Sequence, residues 1–218
     1  MNYPDYPTVE ARVDSKKYNA RLLGENELGS VYLHEPLGNL NSNIKIAYLI
    51  GMHPLESKSH RALFDRLIDS ENLQFCYYVY NIEVKKYNSE SEGRLEGQLL
   101  AREFVRPHII NEKYDLFIDI HSNRGLNGPG GYEVTNFVFA PGFDDNSMEF
   151  VNHIVDSVEE LNYYVPEHRT SPPFITEPVA SRGIAAVVYE CYSCETMEVS
   201  YDLASKLISC VDNLNFEK

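Results

Sequence analysis

The sequence contains no long hydrophobic run and no cluster of basic residues. No apolar segment approaches the ~20 residues that span a bilayer, and no run of Lys and Arg exceeds two residues. The 218-residue chain carries a formal net charge of −14. This acidic balance argues against binding to nucleic acid or to an anionic membrane surface. The N-terminus has neither a basic start nor an apolar core, so we expect no secretory signal and a soluble cytoplasmic protein.

Cysteine is scarce, with four residues in the chain. In the cytoplasm these thiols are expected to stay reduced, which excludes a disulfide framework. Cys191 and Cys194 form a CxxC pair, whereas a structural zinc site usually needs two such pairs. A redox pair after a strand also fits this position, but we interpret these cysteines as small buried side chains.

Two further kinds of motif are missing. No GxSxG occurs, so nothing indicates a Ser-His-Asp triad. The Gly-rich stretch 125–131 matches neither GxGxxG nor a Walker phosphate loop. We therefore expect residues 125–131 to form a mobile loop at the mouth of a site rather than a cradle for phosphate.

Strand and helix signals alternate through most of the chain. Residues 1–43 carry scattered turn signals between short apolar pieces, which predict an N-terminal hairpin or edge strands. From residue 44 onwards, apolar runs alternate with helical periodicity. The predicted strands span 44–50, 74–84, 115–120, 137–140 and 184–189. The predicted helices span 58–69, 92–110 (with an untidy apolar stripe), about 144–161 and about 195–214, and a Pro-rich loop over 166–178 precedes the last strand.

This alternation predicts a single catalytic domain over residues 1–218, made of the N-terminal segment and an α/β core over 44–214. Hydrophobic residues make up 43% of the chain and charged residues 24%, which is typical of globular domains. Strands that alternate with helices favour a three-layer α/β/α sandwich with a mixed, largely parallel central sheet. In such sheets, binding sites lie just beyond the carboxyl ends of the strands.

Polar residues suited to catalysis follow three of the predicted core strands. His53 and Glu56 come just after the first of these strands. His121 follows the third strand, and Glu190 follows the last. Two imidazoles and one carboxylate with an open fourth position are a ligand set of catalytic zinc sites. Pro54 would stiffen the turn from which His53 and Glu56 close on one ion.

Two carboxylates near these ligands have other predicted roles. Asp119 lies two residues before His121 and therefore on the same face of the strand. It either orients His121 or is an ordinary polar residue at a strand end. Glu190 ends an apolar run, so partial desolvation should raise its pKa and suit it to general-base catalysis.

Three segments resemble, in order, the core motifs of the zinc carboxypeptidase family, which includes the succinylglutamate desuccinylase and aspartoacylase branch. They are HPLE at 53–56, DLFIDIHS at 115–122 and GIAAVVYE at 183–190. Three motifs in order at strand ends are more specific than HxxE alone. The resemblance spans roughly residues 44 to 210 and implies a zinc carboxypeptidase-like fold. It also implies that His53, Glu56 and His121 bind one Zn²⁺ per chain, with Glu190 as the catalytic glutamate.

The chain departs from the family pattern in its arginines. The family commonly has an Asn-Arg pair between HxxE and the second His, whereas this chain has such a pair only at Asn123-Arg124. Arg94 lies in about the expected stretch, and we expect it to stabilise the oxyanion or to bind a substrate carboxylate. Arg124 is the second candidate for substrate binding.

The predicted function is that of a zinc-dependent metallohydrolase. It would cleave an amide bond in a small peptide or N-acyl amino acid that carries a free carboxylate, as a carboxypeptidase or as a deacylase. A catalytically inactive relative that binds metal or a peptide is the alternative, motivated by the displaced Asn-Arg pair. A structural or interaction domain that retains only the fold is a third hypothesis.

The remaining histidines and several tyrosines have weaker signals. The histidines without partners at ligand spacing are expected at the surface or in loops, and they are His34, His60, His108, His153 and His168. Three tyrosines are candidates for substrate contact, and they are Tyr163, Tyr164 and Tyr192.

Overall fold

The structure, a computed structural model, describes residues 11–87, 92–128 and 130–216. Within these ranges nine strands form a single sheet. The strands are β1 (Ala20–Glu25), β2 (Gly29–His34), β3 (Leu37–Gly38), β4 (Lys45–Ile50), β5 (Cys76–Val84), β6 (Leu116–Asn123), β7 (Phe137–Phe139), β8 (Asn162–Tyr163) and β9 (Ala185–Tyr192). The helices are α1 (Ser57–Asp69), α2 (Arg94–Leu100), α3 (Arg106–Glu112), α4 (Asp145–Ser157), α5 (Thr176–Ala180) and α6 (Met197–Asp212).

The centre of the sheet is parallel and buried. The strand order is β1-β2-β5-β4-β6-β9-β7-β8, with β3 paired to β5. Strands β5, β4, β6 and β9 run parallel to one another, while β1, β2 and β7 join in antiparallel pairs. Parallel strands covered on both faces need apolar side chains at successive positions, and residues 46–50 are all fully buried. The predicted mixed, largely parallel sheet is confirmed.

Helices cover both faces of this sheet. Tyr48 of β4 packs in one buried cluster with Leu63 of α1 and Leu207 of α6. Leu49 points the opposite way and shares a second cluster with Leu100 of α2. Residues of α4 join the first cluster, and residues of α3 and α5 join the second, so the predicted three-layer sandwich is confirmed. Within the described residues, no helix combines the length and the hydrophobicity that a membrane span requires.

The N-terminal segment forms the predicted hairpin. Strands β1 and β2 pair antiparallel, and β2 pairs in turn with β5. The hairpin therefore extends the core sheet at one edge. Residues 1–10 of the same segment lie outside the described residues.

The prediction of a Pro-rich loop over 166–178 is wrong for the second half of this range. A 3₁₀ turn at Pro172–Phe174 leads directly into α5. Pro178 is the third residue of α5. Because the first N–H groups of a helix have no partner inside the helix, the donor that proline lacks is not needed there.

The helix predicted over 92–110 contains an irregular turn. Residues Ala101–Val105, between α2 and α3, have π-helical geometry. A π-helical turn holds more residues than an α-helical one and so shifts the periodicity of the side chains. This shift accounts for the untidy apolar stripe in the sequence. Leu100, Val105 and Ile109 nevertheless reach the same buried cluster.

Two strands continue beyond the ends that their apolar runs predicted. The ladder between β6 and β9 persists through the pair His121–Glu190 and on to the pair Asn123–Tyr192. The predicted ends at residues 120 and 189 are therefore too early. His121 and Glu190 are strand residues that lie side by side, rather than the first residues of loops.

Two histidines expected at the surface or in loops are instead buried in regular elements. His34 in β2 is 4% exposed and His60 in α1 is 2% exposed. The ring centre of His34 lies 4.6 Å from that of Phe64, and His60 Nε2 lies 2.9 Å from the carbonyl oxygen of Ile120. Burial lowers the pKa of each imidazole to about 4. Both are neutral core side chains near pH 7.

The four cysteines are free thiols. Cys76, Cys191 and Cys210 are buried, and Cys194 is partly exposed. The interpretation as small buried side chains is confirmed for the first three.

Gly51, at the end of β4, provides a test of the turn that leads into the site. Gly51 has φ +80° and Gly183 has φ +78°. A Cβ at Gly51 would lie 2.2 Å from the carbonyl oxygen of Ile82, whereas a Cβ at Gly183 would meet no atom within 4 Å. We expect Gly183→Ala to lower the free energy of unfolding by about 1–2 kcal/mol, the cost of a left-handed residue. Gly51→Ala should cost about 3 kcal/mol or more, because a backbone collision adds to that cost.

Denaturant unfolding of the two variants beside the wild-type protein measures this difference. Equal losses for Gly51→Ala and Gly183→Ala would contradict the close packing of the turn against β5.

Candidate metal centre and cleft

Three neighbouring strands bring the predicted site residues together. β4, β6 and β9 are adjacent and parallel, so their carboxyl ends share one edge of the sheet. After Gly51 the chain turns into a 3₁₀ turn at Pro54–Glu56, with His53 as the residue before it. This tight turn presents His53 and Glu56 from one short segment, as the sequence predicted.

The three predicted metal ligands form one buried group. His53 Nδ1 lies 2.9 Å from Glu56 Oε1, and His121 Nδ1 lies 2.9 Å from Glu56 Oε2. The two Nδ1 atoms are 3.1 Å apart. His53, Glu56 and His121 are 1%, 6% and 2% exposed as whole residues. Ligand atoms held ~2.1 Å from a tetrahedral ion would be separated by about 3.4 Å, so only a small expansion fits this group to a cation such as Zn²⁺.

The outer nitrogens of both imidazoles also have polar neighbours. His121 Nε2 lies 2.9 Å from Asp119 Oδ2, within ion-pair distance. The amide nitrogen of Gln98 lies 3.3 Å from His53 Nε2 and 3.0 Å from Thr170 Oγ1. Such partners fix the orientation of a ligating imidazole. The position of Asp119 favours an orienting role over that of an ordinary strand-end residue.

The charges around Glu56 keep this carboxylate ionised. Burial acts to raise the pKa of Glu56, but His53, Arg94 and His121 together hold it well below its usual value. Burial and the Arg94 charge lower the pKa of His53 to about 3, although Glu56 opposes them. For His121 burial acts downward, yet Asp119 and Glu56 raise its pKa well above the usual value. A buried carboxylate balanced in this way is a suitable donor for a cation.

Glu190 faces the same part of the cleft. It pairs with His121 across the β6–β9 ladder and is 8% exposed. Asn123 Nδ2 donates a hydrogen bond to Glu190 Oε2 at 3.2 Å. Burial raises the pKa of Glu190 to about 8, in the direction expected from its place at the end of an apolar run.

The two candidate arginines are both engaged with acidic residues. Arg94, the first residue of α2, donates to Glu56 Oε1 at 2.6 Å. Arg124 donates to Glu92 Oε1 at 2.9 Å. Both arginines line the cleft that His53 and Glu56 also line. Asn123 and Arg124 point to different partners, so this pair does not form a joint clamp in the structure.

The cleft includes residues that the sequence did not single out. Tyr132, Thr170 and Ser193 line it, together with Gly125, Gly128 and Gly130 of the predicted mouth loop. Tyr132 comes directly after the Gly-rich stretch, which is the one signal that could have favoured it over other tyrosines. Gln98 gave no sequence signal, because an amide on a helix is common.

The predicted tyrosine contacts are not reproduced in the cleft. The residues that line it do not include Tyr163, Tyr164 or Tyr192. The ring of Tyr164 packs 5.1 Å from that of Phe137, and Tyr163 is 46% exposed. Among the histidines without ligand spacing, His168 alone lines the cleft within the described residues.

Comparison with known proteins identifies the fold. No protein-family model and no curated protein sequence matches this chain. A metallo-carboxypeptidase from Pseudomonas aeruginosa is similar in structure, with a TM-score of 0.54, 13% identity, and coverage of 89% of this chain and 64% of that chain. A putative metallopeptidase from Shewanella denitrificans has a TM-score of 0.57 and 14% identity over 88% of this chain and 81% of that one.

A third similar structure is a product-bound cell shape determinant protein from Helicobacter pylori. It has a TM-score of 0.59 and 10% identity over 84% of this chain and 54% of that chain. This chain therefore spans just over half of the Helicobacter protein and just under two thirds of the Pseudomonas protein. Likeness at these identities shows the fold, which is zinc carboxypeptidase-like.

Metal content tests the group formed by His53, Glu56 and His121. We expect protein purified without chelator to hold about one zinc ion per chain. His53→Ala and His121→Ala should each lose this metal, since each removes one of three ligands. His168→Ala, which alters another histidine of the same cleft, should retain it. Elemental analysis of the desalted proteins, with circular dichroism to verify folding, makes the comparison. Full zinc in both ligand variants would contradict the assignment.

The pKa of Glu190 predicts a pH-dependent stability in chelator-treated protein. Its folded-state pKa of about 8 exceeds the ordinary value of 4.5, so the folded state binds the proton more tightly than the unfolded state. The contribution of protonated Glu190 to the free energy of unfolding is fully present below the unfolded-state pKa of 4.5. It is lost as the pH rises from there to about 8. Glu190→Gln does not titrate and should not lose this stability. Its free energy of unfolding relative to that of the wild-type protein should therefore rise by on the order of a few kcal/mol from pH 5 to pH 8.

Urea unfolding at both pH values measures this gain, with Glu149→Gln at an exposed position of α4 as the matched control. An equal rise in relative stability from pH 5 to pH 8 in both variants, or no rise in Glu190→Gln, would show that burial of Glu190 does not set its protonation.

Proposed function

We propose that this protein is a zinc-dependent metallohydrolase that cleaves an amide bond in a small peptide or an N-acyl amino acid. The observation that carries the proposal is the buried group of His53, Glu56 and His121 with Glu190 beside it in one cleft. The fold, which metallo-carboxypeptidases share, supports the same reaction class. Peptidase activity is favoured over deacylase activity, because similar structures hold a tripeptide or belong to a D,L-carboxypeptidase.

The metal would be held by His53 Nδ1, His121 Nδ1 and the carboxylate of Glu56. One Zn²⁺ per chain at these donors would supply Lewis-acid polarisation of the scissile carbonyl and acidification of the attacking water. Asp119 and Gln98 would keep the two imidazole rings in their ligating orientation. The backbone N–H of Ser122, which donates to Glu56 Oε2 at 3.1 Å, holds the carboxylate in place.

Glu190 would act first as a general base and then as a general acid. It would take a proton from the attacking water and deliver it to the leaving amine. A carboxyl group whose pKa lies near neutrality can both accept and return a proton at working pH. The hydrogen bond from Asn123 fixes one carboxylate oxygen and leaves Oε1 for the reaction.

The arginines would act on the substrate. Arg94 lines the same cleft as Glu56 and Glu190, where its remaining N–H donors would stabilise negative charge on the carbonyl oxygen. Arg124 would contact the substrate near the mouth, where it is paired with Glu92.

Turnover of a panel of short peptides and acyl amino acids by the zinc-loaded protein tests the function. We expect Glu190→Gln to lower kcat by about 10²–10⁴-fold, the usual contribution of a general base. The variant should retain its zinc, because Glu190 is not among the proposed ligands. Asp119→Asn serves as a comparison for kcat. In this proposal Asp119 orients the ligand His121 but transfers no proton to or from the substrate.

The same panel separates the proposal from a catalytically inactive relative that binds metal or a peptide. Equal, background-level turnover by wild type and Glu190→Gln, with zinc bound to both, would favour the inactive relative and overturn the hydrolase.

A further inference from the structure

Asn123 lies at the centre of a hydrogen-bond network beside Glu190. It is the last residue of β6, two positions after His121, and is 8% exposed. Its Nδ2 group donates to Glu190 Oε2 at 3.2 Å and to the carbonyl oxygen of Thr135 at 2.8 Å. Its Oδ1 accepts the backbone N–H of Gly125 at 3.0 Å. One amide therefore joins the proposed general base to two backbone groups that follow β6.

These three contacts fix the orientation of the Asn123 amide. If the amide were reversed, Oδ1 would face the Thr135 carbonyl oxygen and the Glu190 carboxylate, and Nδ2 would face the N–H of Gly125. Acceptors would then oppose acceptors, and a donor would oppose a donor. An asparagine offers both the donors and the acceptor that this position needs, whereas an ionised aspartate offers acceptors alone. The network therefore depends on the amide and not only on the size of the side chain.

The backbone of Asn123 is held from the neighbouring strand. The N–H of Ser193 donates to the carbonyl oxygen of Asn123 at 2.8 Å, and Ser193 Oγ donates to the same oxygen at 2.6 Å. Ser193 is 3% exposed and directly follows β9, which carries Glu190. Asn123 and Glu190 are thus mounted on one rigid pair of strands. Such support lets a polar group act without rearrangement during a reaction.

The donors of Asn123 are already used within the protein. Both N–H groups of Nδ2 are engaged by Glu190 and Thr135, and Nδ2 also lies 3.4 Å from the carbonyl oxygen of Cys191. In the part of the chain that the structure describes, Asn123 is the only side chain that forms a hydrogen bond with Glu190. The asparagine of the Asn-Arg pair therefore serves the carboxylate of Glu190 and has no donor left for a substrate.

We propose that Asn123 is a positioning residue that holds Glu190 through Oε2 and presents Oε1 to the attacking water. This inference rests on the proposed function, because that function makes Glu190 the general base. The terminal torsion of a glutamate side chain is broad and roughly two-fold, so a carboxylate without an anchor samples many orientations. The bond from Asn123 removes this freedom. Its loss should slow proton transfer and leave substrate affinity unchanged.

Steady-state kinetics separate positioning from substrate binding. Asn123→Ala should lower kcat by about 10–100-fold, the cost of a misplaced catalytic group, while KM changes by less than about threefold and zinc content stays the same. Asn123→Asp keeps the acceptor but not the donors, and it should lose at least as much. Asn81→Ala, which removes another buried asparagine (2% exposed), should keep the wild-type kcat. A raised KM with an unchanged kcat in Asn123→Ala, or wild-type activity in Asn123→Asp, would overturn the proposal.

A double-mutant cycle tests whether Asn123 acts through Glu190. In the Glu190→Gln background, Asn123→Ala should lower kcat by less than about threefold, because residues that act as a unit have non-additive effects. A purely structural role would give the full loss in both backgrounds, and that result would overturn the positioning role. Circular dichroism and zinc content of each variant verify that the protein is folded.

The side-chain amide signals in ¹H–¹⁵N NMR spectra of the full-length, zinc-loaded protein test the contact without turnover. The Nδ2–H signals of Asn123 are assigned by their loss in Asn123→Asp. They should shift in Glu190→Ala and stay in place in Glu149→Ala, at an exposed position of α4. No shift in Glu190→Ala would overturn the proposal, whatever the activity.

The positioning role and the hydrolase fail in different ways. A shift of the Asn123 signals without turnover of any substrate would contradict the hydrolase and leave the hold of Asn123 on Glu190 standing. Turnover with the wild-type kcat in Asn123→Ala would overturn the positioning role and leave the hydrolase standing.

Discussion

The register between β6 and β9 is the constraint on which the cleft depends. Backbone pairing sets His121 opposite Glu190, and the alternation of side chains then sends both to the same face of the sheet. A shift of one residue in either strand would turn one of them into the opposite hydrophobic layer. The apolar residues of both strands, buried against helices on both faces, make such a shift costly. The geometry of the site is thus maintained by packing that has no part in the chemistry.

Charge balance is the second requirement of the site. Glu56 is a carboxylate that is 6% exposed, and an unpaired charge in such a place would be strongly destabilising. Arg94, the imidazoles of His53 and His121, and the N–H of Ser122 surround it. This set of contacts stabilises negative charge at one point. It explains why three polar side chains can be buried together at the end of an apolar sheet.

Sequence reasoning reached the features that are local along the chain. The apolar runs of the core strands and the spacing of His53 and Glu56 are visible within a few residues, and they led to the correct fold class and to the grouping with His121. The ends of β6 and β9 were placed too early, because ladder pairing between distant segments extends a strand past its apolar residues. Gln98 was missed for a related reason. Its significance lies in its contact with His53, which is more than 40 positions away along the chain.

The arginines of the cleft lie in a chain whose net charge is −14. An approaching anion therefore meets repulsion from the whole molecule at long range and attraction only near the guanidinium groups. Dissolved salt screens the long-range repulsion over a Debye length of about 8–10 Å and weakens partly buried contacts much less. For the proposed hydrolase, capture of a substrate carboxylate should consequently become faster as ionic strength rises, opposite to the behaviour of enzymes whose overall field steers the substrate inward.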